Sequence, residues 1–438
     1  MTNNRVSKLL RTLFFFKLET FDALKHREFR FYWLGFVISV SGQQMLWMIE
    51  GWLIYELSGS ALLLGIHGAA QFVPSTTLTL FGGAIADKLD QRKLLITVQM
   101  LFIVVLGGLA LLGVFNLLTA WYVIGGGFLL SIVGAFEGPA RQAMFPHLVS
   151  RDKMPSAVAL NAMIHPGTRV IAPVIGGLVS AFVLESSGSA SIAGGAVFGI
   201  AVVGVAIYAI MLMQFELPPI RRNRENSVFA DMLAGLTYIR DKRIFAFLIG
   251  TAWYSMVFGI SLTILFPIFA EDVLLVGPEG LGYLWGAMGI GSISGVFLAS
   301  SRTLPAQQRS LLAGGLLLVG VFMTAFALST LYWLSLFFVF LIGLGASVFN
   351  VAIQTNLQML VDSEYRGRVM GIWSMVHTSI RPIGEFYFGS MAALFSAPTA
   401  FIVGAVFIIV FTVGYLIPSK QMSNLRDLRE EALVNQSR

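Results

Sequence analysis

Six ionisable side chains stand out inside the long apolar stretches of this 438-residue chain: Glu50, His165, Arg169, His377, Arg381 and Glu385. Charge placed in hydrocarbon is expensive, and such residues mark ion or substrate pathways. His377, Arg381 and Glu385 are spaced i, i+4, i+8, which puts them on one face of a helix. His165 and Arg169 repeat the first two positions of that stripe, and Glu50 shares a face with Gln43 and Trp47. A carboxylate in a low-dielectric setting can load and release a proton, so Glu50 and Glu385 are read as proton-exchange sites. Two alternatives stay open: Arg381 and Glu385 as a self-neutralising structural pair, and Glu50 as a group that merely reaches water near the end of its apolar stretch. Gln43, Gln44, Trp47, His165, Arg169, Trp253, Tyr254, Asn350, His377 and Arg381 are the expected cavity groups. Cysteine is absent and no Gly-Lys-Ser/Thr phosphate loop occurs. Thiol chemistry and ATP are therefore excluded, no enzyme site is expected, and neither metal nor cofactor is expected beyond a proton gradient.

The elements that must position these groups are helices. The chain is 56% hydrophobic, 12% charged and holds 45 glycines, the composition of a polytopic helical membrane protein. Twelve apolar blocks cover about 31–57, 61–86, 94–115, 119–139, 155–183, 191–214, 244–270, 279–300, 309–329, 331–352, 367–393 and 399–418. Of 29 lysines and arginines, all but Arg169 and Arg381 fall in links on one side of these blocks; the other side receives none. Basic links stay cytoplasmic, so both termini are expected there, in a bacterial inner membrane. The same rule accounts for the net charge of +6 without a nucleic-acid partner. The expected partners are a small molecule and the bilayer, and a monomer is expected.

The expected organisation is an interfacial N-terminal segment (1–30), a six-helix bundle (31–214), a linker (215–243), a second six-helix bundle (244–418) and a cytoplasmic tail (419–438). Leu9 to Phe21 reads as an amphipathic segment on the membrane surface. In the linker, Phe229, Met232, Leu233, Leu236 and Ile239 recur at helical spacing. A shift of 212 returns Met163 as Met375, His165 as His377, Arg169 as Arg381 and Gly177 as Gly389. Two parallel repeats with a site between them is a transporter architecture.

The run Gly82-Gly83-Ala84-Ile85-Ala86-Asp87-Lys88-Leu89-Asp90-Gln91-Arg92-Lys93 resembles the loop signature of the major facilitator superfamily. Gly83, Asp87, Lys88, Arg92 and Lys93 match, and Asp90 stands where the family pattern has Gly. The resemblance implies a conformational latch, with Asp87 facing the start of block eleven near Arg366 and Arg92 paired with Glu137. Trp52 to Ala61, Pro139-Ala140-Arg141-Gln142 and Arg366 to Gly371 resemble the branch of enterobactin exporters and macrolide efflux pumps. Ala172-Pro173-Val174-Ile175-Gly176-Gly177 resembles the antiporter signature, with Ala172 replacing its first Gly. It implies export, with Pro173, Gly176 and Gly177 as a bending and packing joint. The expected protein is therefore a twelve-helix, all-α membrane transporter of major facilitator fold, with two pseudo-symmetric bundles. It would export a drug or siderophore by proton antiport. Alternatives are a lysophospholipid transporter, whose arginines would hold phosphate, and a non-transporting sensor or scaffold.

Overall fold

Short links rich in Ser, Thr, Asp and Gly set where each helix starts and stops. In the computed structural model, which describes residues 18–86, 89–215, 228–301, 304–362 and 364–436, Asp90 accepts a hydrogen bond from the backbone N–H of Lys93 at the start of α3, and Thr119, Ser189 and Ser396 cap α4, α6 and α12 in the same way. These caps satisfy donors that would otherwise be orphaned at a helix start. Gly59 ends α1 at φ 63° and Gly188 ends α5 at φ 66°, where a Cβ would be strained.

The first half is built from α1 (Arg27–Ser58), α2 (Ala61–Ala86), α3 (Gln91–Val114), α4 (Ala120–Met144), α5 (Ile164–Ser187) and α6 (Ala190–Met213). The second half holds α7 (Arg243–Phe258), α8 (Gly277–Ser300), α9 (Pro305–Leu328), α10 (Tyr332–Leu360), α11 (Arg366–Ser379 and Arg381–Leu394) and α12 (Ala397–Phe411). Nine of the described helices are by themselves long and apolar enough to cross a membrane. Within each half, backbones approach where side chains are smallest. A Cβ on Gly113 of α3 would lie 2.3 Å from the Cα of Gly195 on α6. One on Gly343 of α10 would lie 2.3 Å from the carbonyl of Met288 on α8. Lipid supplies no hydrophobic drive for helices to meet, so this close packing does much of the holding.

Three expected helices are not continuous. Block five splits at Met163 into Met154–Ala162 and α5, and α11 breaks at Ile380. Each break lies just before a proline, Pro166 and Pro382, whose ring removes a donor and clashes with the carbonyl four residues earlier. The expected stripe of His377, Arg381 and Glu385 is therefore interrupted between its first and second members. Beyond α7 the chain continues as a 3-10 turn (Ile260–Leu265), a short helical piece (Phe266–Ile268) and a π turn (Phe269–Val273). At Pro173, by contrast, α5 runs unbroken, so the expected bending joint there is corrected to a packing surface.

The linker helix Val228–Asp241 docks on the second half: Tyr238 stacks on Tyr365 at 4.4 Å and donates to Asp362 at 2.9 Å. Lys242 joins Asp362 at 2.6 Å, and together these bonds hold the Asp362 carboxyl below its ordinary value. A depressed carboxylate contributes stability above its unfolded pKa and loses it as pH falls through the folded one. Asp362→Asn is thus expected to lower the melting temperature slightly at pH 7, by under about 1 kcal/mol for so exposed a pair. The difference should vanish in melts run at strongly acidic pH. The tail expected after residue 418 contains a further helix, Lys420–Gln436, in which Met422, Leu425 and Arg429 are buried. Of the amphipathic segment expected over Leu9 to Phe21, residues before 18 lie outside the described structure; Leu18–Lys25 is a 3-10 helix tied to the first half by Lys153–Asp22 at 3.0 Å.

Candidate functional site

The two halves meet along a seam lined by glycines. A Cβ on Gly177 of α5 would lie 2.5 Å from the carbonyl of Pro278 and 3.1 Å from the Cα of Gly282, both on α8. A Cβ on Gly389 of α11 would lie 2.5 Å from the backbone nitrogen of Gly65 on α2. Gly177 and Gly389 are repeat mates, so the pseudo-symmetry seen in the sequence appears as two equivalent crossings. A third contact joins α1 to the π turn after α7: Trp52 Nε1 donates to Glu271 Oε1 at 2.5 Å, and the Tyr55 hydroxyl donates to Asp272. The extra residue of a π turn rotates its acidic pair toward α1. Among the described residues, these atomic contacts between halves run from mid-helix to the face remote from the basic links. On the other side, Met163 and His165 of the first half are exposed. The seam is closed on the face without basic residues.

Just inside that closure is a cavity of about 300 Å³, lined by Trp47, Glu50 and Gly51 of α1, His67, Gln71 and Ser75 of α2, Ile264, and Arg381, Pro382 and Glu385 of α11. Arg381 Nε donates to Glu385 Oε1 at 2.6 Å, and its guanidinium lies over the Trp47 ring at 5.4 Å. Gly68 leaves room for Glu385: a Cβ there would sit 2.6 Å from the carboxylate. Glu50 and Glu385, which the sequence places in different halves, thus face one cavity. The Glu50 Oε2 atom lies 3.4 Å from His67 Nε2, with both side chains buried. Gln71 contacts the same ring nitrogen at 2.8 Å. His67 and Gln71 were not singled out from sequence, although a histidine inside an apolar block was the same signal that drew attention to His165.

A second cavity of about 230 Å³ shares Trp47, Glu50 and Gln71 and extends into the first half to Gln43, Ser131 and Glu137. Glu137 accepts hydrogen bonds from Gln43 and Gln99, each at 3.4 Å. The expected Arg92–Glu137 latch is therefore corrected. Arg92 instead donates to the carbonyls of Leu212 at 2.7 Å and Met213 at 3.1 Å, which end α6. A cation there satisfies terminal carbonyls and the helix dipole, whereas Glu137 is held inside the bundle by amides. Arg141, one turn after Glu137, lies over the Phe36 ring at 4.2 Å.

The remaining expected groups are dispersed. Gln44 is buried and lines neither cavity. Tyr254 donates to the carbonyl of Phe407 at 3.0 Å and stacks on Phe411 at 4.1 Å, so it packs α7 on α12, and its neighbour Trp253 is exposed; neither lines these cavities. Asn350 lines neither. His165 meets the Phe36 ring edge-on at 5.9 Å. Arg169 also lines neither cavity and has no acidic partner among the described residues; the charge acting on it is Arg381, of like sign. Gly176 packs on Met45 and Met48. Arg366 is exposed at the start of α11, and the Lys93 backbone belongs to the α3 cap. Asp87 and Lys88 lie outside the described residues, as do the side-chain surroundings of Gly83 and His377.

A profile of the family described as transmembrane secretion effector matches residues 18–435. The chain belongs to that family, within the major facilitator superfamily. Family members similar to it include macrolide efflux protein A of Streptococcus pyogenes, 23% identical over 82% of this chain and 88% of that one. The staphyloferrin A transporter of Staphylococcus aureus is 25% identical over 86% and 92%. The enterobactin exporter of Shigella boydii is 24% identical over 84% and 86%. Among solved structures, a bacterial homologue of the human lysosomal transporter Spinster, in an inward-facing and unoccupied conformation, superposes with a TM-score of 0.69 over 95% of this chain and 98% of that one, at 13% identity. The inward open xylose transporter of E. coli gives 0.65 over 91% and 99%, at 11% identity. These likenesses show the fold of the secretion effector family: twelve helices in two six-helix bundles. The protein is a multi-pass membrane transporter, and its relatives are not enzymes.

Proposed function

We propose that this transporter exports a small amphipathic compound, a drug or a siderophore, by proton antiport in a bacterial inner membrane. The basic face is cytoplasmic, and the described conformation is the one closed to the outside. The observation that carries the reading is the seam cavity, where carboxylates from both halves, Glu50 and Glu385, face the same space. A buried carboxylate that can be neutral or charged gives a proton a place to compete with substrate, and rocking of the halves exposes that place to each side in turn. The efflux and siderophore proteins among the relatives support the outward direction.

The test is proton release from inverted membrane vesicles holding an imposed pH gradient, with siderophores, macrolides, lipophilic cations and lysophospholipids added in turn. One compound is expected to collapse the gradient, and Glu50→Gln is expected to abolish the response. Movement of a labelled lysolipid with no gradient response would overturn proton antiport. It would favour a lipid transporter, the reading to which Arg169, with no acid beside it among the described residues, lends itself.

A further inference from the structure

Three polar groups converge on one ring nitrogen. His67 Nε2 is 3.4 Å from Glu50 Oε2 and 2.8 Å from the Gln71 side-chain amide. The other ring nitrogen, Nδ1, is buried with no hydrogen-bond partner. That side of the ring is closed by α4: a Cβ on Gly127 would lie 2.6 Å from His67 Cε1 and 3.2 Å from Nδ1.

This asymmetry selects the state of the ring. A buried lone pair without a donor is tolerable, but a buried N–H without an acceptor carries a full desolvation penalty. The imidazolium needs N–H on both nitrogens and would bury one of them against Gly127. The neutral ring with hydrogen on Nε2 avoids this: its N–H points at the Glu50 carboxylate, and Gln71 turns its carbonyl oxygen to the same hydrogen. We infer that His67 stays neutral and acts as a fixed donor that positions the Glu50 carboxylate and tunes its hold on a proton, which binds Glu50 and never the ring.

The groups facing Glu50 agree with this. From α1 they are Trp47 and Gln43, which is neutral; from α2, His67 and Gln71; across the seam, Arg381 already neutralised by Glu385. Through the second cavity the next acid is Glu137, followed on its own helix by Arg141. A proton added at Glu50 converts a carboxylate to a carboxylic acid. The N–H from His67 is then weakened to a neutral hydrogen bond, and no second group need change charge. Gly68, next to His67, packs on Glu385 of the other half, so the residue that orients Glu50 is tied to the crossing that opens and closes.

The inference rests on Glu50 being the coupling group, and its test does not use transport. The full chain with ¹⁵N-labelled histidine is titrated by NMR while the protonated-carboxyl stretch of Glu50 is followed by infrared difference spectroscopy. The five histidines are few enough for His67 to be identified by substitution. His67 is expected to show the neutral Nε2–H form throughout the range over which the Glu50 band appears. In His67→Leu, Glu50 is expected to hold its proton about tenfold more tightly, the effect of losing one hydrogen bond to a charged group. In His67→Gln, whose amide still donates, most of that change should be restored. An imidazolium signal from His67 rising with the Glu50 band would overturn the inference, and so would a Glu50 titration indifferent to both variants. The wild-type ring measurement needs no variant to fold. If the spectra come out as expected while export ignores the pH gradient, the antiport reading falls and the positioning role stands.

Discussion

Gly282→Val is expected to hold the seam apart on the face opposite the basic links and to abolish transport. The glycine packs against Pro173 and Gly177 of α5, and an added Cβ would already lie 2.8 Å from the carbonyl of Pro173. Backbone cannot yield as a flexible side chain does, and overpacking of this kind costs about 1–3 kcal/mol. That is enough to move a two-state equilibrium tenfold or more toward the conformation in which α5 and α8 are separated. The chain lacks cysteine, so Ile264→Cys in the seam cavity provides a single reporter. An impermeant thiol reagent added from the outer side should label it about tenfold faster with valine at 282 than without. Gly107→Ala on α3, where nothing lies within 4 Å of the added Cβ, is the control expected to change neither labelling nor transport. Equal labelling of the Gly282→Val and parent chains would show that this crossing does not close the outer side.

The second large effect separates the two roles of Arg381 and Glu385. Glu385→Ala removes the carboxylate 2.6 Å from a guanidinium whose side chain is only 26% exposed. Breaking a buried pair by deleting one partner leaves an uncompensated charge and costs about 3–5 kcal/mol, and water in the cavity places this case at about 3 kcal/mol. Thermal unfolding in detergent should show that loss. Arg381→Met combined with Glu385→Leu is expected to recover most of the stability, because two charges are removed together. Transport should stay absent in the double variant. Recovered transport would make the pair purely structural; a double variant as unstable as the single one would contradict the ion-pair account.

Sequence and structure divide this protein along a physical line. Basic residues on one side only, twelve apolar blocks, the loop signature and the repeat offset of 212 are all one-dimensional properties, and they were sufficient for the fold class and for naming Glu50, Arg381 and Glu385. Helical periodicity reports which residues share a face, and so the Arg381–Glu385 pair was legible. It does not report which faces meet. In a bilayer each helix already satisfies its own backbone, and the choice of neighbour is left to small-residue packing and a few polar contacts. The closing crossings at Gly177 and Gly389, the Trp52–Glu271 contact and the meeting of Glu50 with His67 all depend on that choice. So does the fate of Arg92 and Glu137, adjacent in the motif logic and apart in space. The sequence by itself determined that this chain crosses a membrane in two related halves and where its costly charges lie. Only the tertiary structure decided which of those charges face one another, because the distance between two helices is set by the packing of both.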